Sequence, residues 1–296
     1  MKVLNFGSLN YDYVYQVDHF VTGGETETSI SMETHLGGKG FNQSVALAKA
    51  GLTVYHGGSL GEEGEAFLTA CREYGVHTEY IRTIQGRSGH TVIQVNPEAQ
   101  NGILLYGGAN RKQDEAFIDE VLSHFEKGDM IVLQNEVNLL GYIIDRAYEK
   151  GLSIVLNPSP YDAFLEEVDM GKVSIFLMNE IEGEMMTGEK DPGKILAVVR
   201  EKYPDAGTVL TLGTAGAYYQ DKEGHRTFQE AFPVKAVDTT AAGDTFTGFF
   251  IGGIAEGLPV DKNLRRAAKA SSLAVQRRGA AESIPTKAEV ETSLEE

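Results

Sequence analysis

Cysteine is almost missing from this chain. Cys71 is the single thiol, so an internal disulfide is excluded and a reducing cytoplasm is the expected compartment. Positive charge is scarce as well: 26 Lys and Arg stand against 43 Asp and Glu, a formal net charge of −17. That balance argues against nucleic acid or an anionic membrane as a partner, but a phosphate site is local and stays open. No apolar run reaches the ~18 residues of a membrane span. Met1-Lys2-Val3-Leu4 leads straight into a strand-like run, and no export signal is expected. The seven His are scattered without metal-ligand spacing, so no zinc site is expected. Internal repeats, low-complexity tracts and linkers are also lacking. A chain of 296 residues, 42% of them hydrophobic, then suits a soluble α/β domain, alone or with a small appendage.

Two common nucleotide signatures are missing. The first strand, Val3 to Phe6, ends at Gly7-Ser8-Leu9-Asn10, where a dinucleotide fold would carry G-x-G-x-x-G. A nicotinamide-dependent dehydrogenase is disfavoured for that reason. Gly37-Gly38-Lys39-Gly40 lacks the Ser or Thr that a Walker A loop needs after Gly-Lys. Three glycines so close together still permit a near approach of backbone to ligand.

What is present is a stretch from Asp238 to Thr247, Asp-Thr-Thr-Ala-Ala-Gly-Asp-Thr-Phe-Thr. Ala241, Ala242 and Gly243 are small, and an apolar run of helical length follows. The pattern predicts a tight loop opening into a helix near Gly243, whose unpaired N–H groups and dipole favour an anion. Asp244 falls in that first turn. It is either a helix-start acid held by the dipole, or a base that takes the proton of a hydroxyl attacking a phosphoryl group.

Along the chain, Val54 to Leu60 reads as a strand, and helices are predicted over Ser44 to Ala50 and Glu65 to Tyr74. His90 to Asn96 and Ile103 to Tyr106 form a hairpin around Pro97-Glu98-Ala99-Gln100-Asn101-Gly102. With the strand-like residues 11 to 35 it forms a small sheet apart from the main one. Further on, apolar strands at Met130 to Leu133, Ile154 to Leu156, Ile175 to Met178 and Val209 to Leu212 alternate with helices near Ala116 to Phe125, Leu139 to Tyr148 and Ile195 to Tyr203. Such alternation predicts a parallel sheet covered on both faces, with ligands gathered at the carboxyl ends of the strands. Gln134-Asn135-Glu136, Asn179 to Glu182 and Gly213 to Gly216 sit at those ends. Leu264 to Gln276 and Pro285 to Glu296 are predicted as closing helices. Gly248, Gly252 and Ala255 put small residues on one helix face, for close packing.

Gly-Gly-Lys-Gly-x-Asn-Gln and Asp-Thr-x-Ala-Ala-Gly-Asp-Thr-Phe, in this order and far apart, resemble the two motifs of the ribokinase-like (PfkB) carbohydrate kinases. The resemblance spans nearly the whole chain. It implies a three-layer α/β/α sandwich with a mainly parallel central sheet and a small β-sheet lid. The main domain would comprise residues 1–10, 36–86 and 110–296, and the lid residues 11–35 and 87–109. It implies ATP-dependent phosphorylation of a sugar, ribose first, with deoxyribose or a ketohexose as alternatives. A silent sugar sensor on the same fold is opposed by the intact Asp244.

By the same resemblance Asp244 is the base and Ala241, Ala242 and Gly243 supply the anion hole. Asp12, Gly38, Lys39, Gly40, Asn42 and Glu136 hold the sugar, and Asn179, Thr211, Gly213, Thr214, Gly216 and Gly243 the nucleotide. Asn179 and Glu182 place Mg²⁺ through water. Asp238, Thr240, Ala274, Arg277, Gly279 and Ser283 form a monovalent-cation site, for K⁺, mainly through backbone carbonyls. A homodimer through the lid is implied. Phe41, Tyr11 and Thr247 depart from the family's usual residues, and are expected to alter the wall beside the sugar.

Overall fold

Neighbouring residues of a strand face opposite sides, so a strand that is apolar throughout must be covered twice. The computed structural model describes residues 1–98 and 100–295. The chain opens with β1 (Val3–Phe6), β2 (Asn10–Gln16), β3 (Ser31–Gly37), α1 (Lys39–Lys49), β4 (Val54–Leu60), α2 (Glu65–Glu73) and β5 (His77–Thr83). β6 (Gly89–Val95) and β7 (Asn101–Tyr106) precede α3 (Glu115–Ser123), β8 (Met130–Gln134), α4 (Leu140–Glu149) and β9 (Ser153–Asn157). Then come β10 (Ile175–Asn179), α5 (Glu180–Thr187), α6 (Pro192–Lys202), β11 (Gly207–Thr211), β12 (Gly216–Gln220) and β13 (Arg226–Glu230). Helices α7 (Ala242–Ala255), α8 (Val260–Ala274) and α9 (Lys287–Glu295) complete the described chain.

The main sheet has nine strands in the order β13-β12-β11-β10-β9-β8-β1-β4-β5, parallel from β11 to β5, with β12 and β13 antiparallel. Each central strand feeds two cores. Val3, Val132, Val155, Leu177 and Val209 join the core with α1, α7 and α8, while Leu4, Leu133, Leu156, Phe176 and Leu210 join that with α3, α4 and α6. Each such side chain, fully buried, stabilises the fold by roughly 1.5–3 kcal/mol. A separate four-stranded sheet, β3-β2-β6-β7, is the lid.

Three strands depart from the sequence expectation. β5 and β13 are the edge strands, mixed and half-covered, and β12 (Gly-Ala-Tyr-Tyr-Gln), between β11 and β13, is mixed as well, so none carries a continuous apolar run. Helix α1 begins at Lys39 instead of Ser44, because Gly40 lies on the backbone of Gly7 and Ser8: an added Cβ would come within 2.3 Å of the Ser8 amide nitrogen. Ala99 of the lid turn and Glu296 of the closing helix lie outside the described residues.

After β1 the chain lays β4 and β5 on one side, then returns to place β8 on the other. Such a reversal opens a crevice at the carboxyl ends of the strands. Helices α1 and α7 line it and are drawn together by small residues. A Cβ on Gly248 would stand 2.4 Å from the Ala46 Cβ and 2.5 Å from its carbonyl carbon, and one on Gly252 would stand 3.0 Å from the Ala50 Cβ.

Gly248→Ala must therefore push α1 from α7, with an expected stability loss of about 1–3 kcal/mol by denaturant unfolding. An unchanged midpoint would show that the contact is slack.

Candidate active site

The start of α7 is built by one strained residue. Ala241 adopts φ 59, ψ 11, a left-handed conformation that a residue with a Cβ rarely takes, and it is the N-cap of the helix. Among the described residues the amides of Gly243 and Asp244 meet no main-chain acceptor, whereas Thr245 N–H returns to the Ala241 carbonyl at 2.8 Å. Ala241, Ala242, Gly243 and Asp244 line a cavity of about 220 Å³ with Lys39, Asn179, Glu182 and Thr211. Free amides at a helix start, facing a cavity, are suited to an anion.

Asp244 is buried at 8% exposure. Asn42 Nδ2 donates to its Oδ2 at 3.2 Å and Gln43 Nε2 to its Oδ1 at 2.9 Å. Burial pushes the carboxyl above its ordinary range, against the opposing pull of the Lys39 ammonium and the two amides. Since a carboxylate only accepts, Asn42 must turn its NH₂ to it, and its own Oδ1 is left buried without a partner.

Lys39 stands among three acids. Burial works against its charge, yet Asp244, Glu136 and Glu182 together hold it above the usual lysine value. Glu136 accepts from the Ser8 hydroxyl and, at 3.0 Å, from the Lys39 amide, and the Gly40 amide donates to Ser8 Oγ at 3.2 Å. Burial raises the Glu136 carboxyl, with Lys39 and Ser8 opposing. Asp12 sits in the lid on β2, accepts from the Thr91 hydroxyl at 2.5 Å and presses on Gly37, where an added Cβ would be 2.0 Å from its Oδ2. Burial raises its carboxyl, while Thr91 and His35 oppose. Asp12 thus lies beside the Gly37-Gly38 corner that leads into Lys39.

Asn179 and Glu182 form a reciprocal cap on α5. Asn179 Oδ1 accepts from the amides of Ile181 and Glu182 at 2.9 and 3.0 Å, and Glu182 Oε2 accepts from the Asn179 amide at 2.8 Å. Both also line the cavity with Asp244. A helix-start role and a place on the cavity wall therefore coexist, and sparse carboxylates in a polar cavity are the kind of oxygen donors that Mg²⁺ takes while keeping several waters.

A second cavity, of about 490 Å³, joins the first at Thr211, Thr239, Ala242 and Gly243. Gly213, Thr214 and Gly216 form one wall, and Phe232, Pro233, Val234, Phe246, Ala268 and Val275 give it an apolar lining. Sequence reasoning reached the Thr211 to Gly216 turn but missed the 231–236 loop and the α8 face, which are ordinary apolar residues. It placed Gln134 at a strand end facing the crevice and Gln43 in the glycine-rich motif, but gave neither of them, nor Ser8, a role.

Around Asp238, the Thr240 amide donates to Oδ1 at 2.9 Å and the Gly279 amide to Oδ2 at 3.1 Å. Although burial opposes it, these bonds and Arg278 hold the Asp238 carboxyl low. The other three residues of the expected cation site are less directly tied. The Ala274 carbonyl accepts from the Arg277 amide, the Arg277 guanidinium pairs with Glu289, and the Ser283 hydroxyl donates to the Ala280 carbonyl.

One expectation is corrected. Phe41 is buried edge-on against Phe67 with ring centres 5.2 Å apart, and Tyr11 packs on the same ring and donates its hydroxyl to the Glu63 carbonyl at 2.8 Å. Both fill the core between α1 and α2 and do not line the cavity with Asp244. Thr247 does line it.

Comparison with known proteins agrees with this architecture. Ribokinase of Haemophilus influenzae is 33% identical over 98% of this chain and 97% of its own length, and that of Schizosaccharomyces pombe is 34% identical over 99% and 98%. The structure of Arabidopsis thaliana ribokinase complexed with ribose and ATP superposes with a TM-score of 0.88 at 28% identity, covering 99% of this chain and 98% of that one. Residues 1–287 match the pfkB family carbohydrate kinases, and the chain belongs to that family.

Proposed function

We propose that this chain transfers the γ-phosphoryl group of ATP to a hydroxyl of ribose, giving ribose 5-phosphate and ADP. The observation that carries this reading is the start of α7, where unpaired amides and a buried carboxylate face one cavity. Asp12, Gly38, Lys39, Gly40, Asn42 and Glu136 hold the sugar. The nucleoside occupies the apolar cavity, beside Thr211, Gly213, Thr214 and Gly216, so that its phosphates point towards Gly243.

Asp244 accepts the proton of the attacking hydroxyl. The new O–P bond forms as the bond to the ADP oxygen breaks, and the unpaired amides of Gly243 and Asp244 receive the charge on the migrating group. Lys39 adds a positive charge where three acids and a triphosphate meet. Mg²⁺ held near Asn179 and Glu182 would neutralise the triphosphate. A monovalent cation such as K⁺ beside Asp238, Thr240 and Gly279, with the main chain of Ala274, Arg277 and Ser283, would brace the loop before α7.

Cys71 is buried and its thiol is pushed up to about 12 by burial. An inert lone thiol suits the cytoplasm. The lid exposes Ile30, Met32, Ile103, Leu104 and Leu105. We take residues 11–35 and 87–109 as the lid unit and propose that two chains pair through it. Sedimentation should give a two-chain species, and monomer alone would remove that pairing.

With ATP and a panel of ribose, 2-deoxyribose and ketohexoses, ADP release is expected to be fastest on ribose; absence of turnover on ribose would overturn the substrate. Asp244→Asn should lower kcat by about 10²–10⁴-fold and spare ribose affinity. The same variant should be more stable at neutral pH. The folded carboxyl titrates above the unfolded one, so ionising it in the fold is a penalty, complete above the folded value and gone below the ordinary Asp value. The stability gain should therefore shrink as pH falls through that window. Near-normal turnover would refute the base.

A further inference from the structure

Beneath Asp244 lies a run of buried polar side chains, three of them amides, that the phosphoryl-transfer scheme leaves unused. Gln43, Gln134, Asn5, Ser44 and His56 are each fully buried. Their polarity is set by the carboxylate, which can only accept. Gln43 must show its NH₂ to Asp244 Oδ1, at 2.9 Å, so its own Oε1 needs a donor. Gln134 Nε2 supplies one at 2.7 Å and gives its second N–H to Asn5 Oδ1 at 2.9 Å. The Asn5 amide in turn donates to the Gly40 carbonyl at 2.6 Å and to Ser44 Oγ at 2.7 Å. Ser44 then meets His56 Nδ1 at 2.8 Å, and burial, which drives His56 down to about 4, keeps that ring neutral.

The arrangement has a penalty. With both N–H groups of Gln134 spent, its Oε1 is buried without a partner and lies where a Cβ on Gly7 would be only 2.1 Å away. An orphaned buried acceptor keeps its desolvation penalty uncompensated, which an apolar side chain of the same shape would avoid. A role in packing alone does not account for an amide here. Orientation does: Gln134 seats Gln43, and Gln43 grips the inner oxygen of Asp244.

We infer that Gln43, seated by Gln134, is a positioning residue for the base. It binds Oδ1 of Asp244 from below and so leaves Oδ2, on the Asn42 side, to take the proton of the acceptor hydroxyl. This rests on the reading of Asp244 as the base. Because the donor stabilises the ionised form, its loss raises the pH at which Asp244 ionises. The same network ties the Gly40 carbonyl of the sugar loop to the strand beneath.

The test compares Gln43→Met, Gln134→Met and the double variant with the wild type. kcat, KM for ribose and the pH profile of kcat are measured, and Asp244 is titrated by carboxyl ¹³C NMR in the unliganded protein, its resonance identified with Asp244→Asn. Gln43→Met is expected to lower kcat roughly tenfold or more with little change in KM. The acid limb and the Asp244 titration should both move up by about one pH unit. Gln134→Met should move both the same way by less, and the double variant should do no more than Gln43→Met alone. Should Gln43→Met fail to fold, Gln43→Glu keeps the shape and replaces the donor with an acid, and must also raise the acid limb. An unmoved titration in a folded Gln43 variant, or strictly additive effects of the two Met substitutions, overturns the inference. A wild type that titrates as expected but releases no ADP with any sugar would instead sink the kinase reading, and the NMR comparison would still judge Gln43.

Discussion

In the proposed mechanism an acid has to stay ionised inside the protein, beside the triphosphate. That constraint shapes most of what surrounds Asp244. Burial opposes its charge, and the groups that counter this, Lys39, Asn42 and Gln43, all come from α1. The distance between α1 and α7 is in turn set by Gly248 against Ala46 and Gly252 against Ala50. Two glycines that touch no ligand therefore decide whether a carboxylate far from them in the chain has its hydrogen bonds. The strain at Ala241 is the counterpart on α7 itself, since it starts the helix where its amides meet the cavity.

The overall acidity of the chain does not conflict with such a site. Among the described residues Asp129, Glu182 and Asp244 are the buried acids and the rest of the −17 balance lies nearer the surface, whereas in the proposed mechanism the anion meets main-chain amides and one lysine within a small cavity. Screening by solvent weakens the distant acids far more than the groups at contact distance. Lys39 offsets Glu136, Glu182 and Asp244, and in the proposed mechanism it also offers its charge to the phosphates.

The parts of the fold that were legible in the sequence are those driven by burial on both faces. β8, β9, β10 and β11 read as short apolar runs because they lie in the middle of the sheet, and β1 and β4 were legible as strands beside them. β5 and β13 did not, because an edge strand mixes polar and apolar residues and takes its order from its neighbour, and β12, inside the sheet, is Gly-Ala-Tyr-Tyr-Gln and too short and mixed to stand out. At the site, Asp244, Asn42 and Lys39 were readable because their motif spacing is unusual. Gln43 sat in the same motif, yet its task depends on Gln134 lying beneath it, which only the fold brings about. The apolar walls contributed by Phe232, Val234 and Ala268 carry no chemical signature, and residues whose part would be played by backbone carbonyls, as around Asp238, leave none either. Phe41 and Tyr11 were misplaced beside the sugar because adjacency in sequence says little about direction on a helix or strand: each turns its ring to Phe67 instead.

The most direct measurement is a crystal structure with ribose, ADP and aluminium fluoride, a mimic of the phosphoryl group in transit. The fluorides are expected within about 3 Å of the Gly243 and Asp244 amide nitrogens, and a ribose hydroxyl at a similar distance from Asp244 Oδ2. A mimic bound away from those amides, or a ribose whose hydroxyls all avoid Asp244, would contradict it.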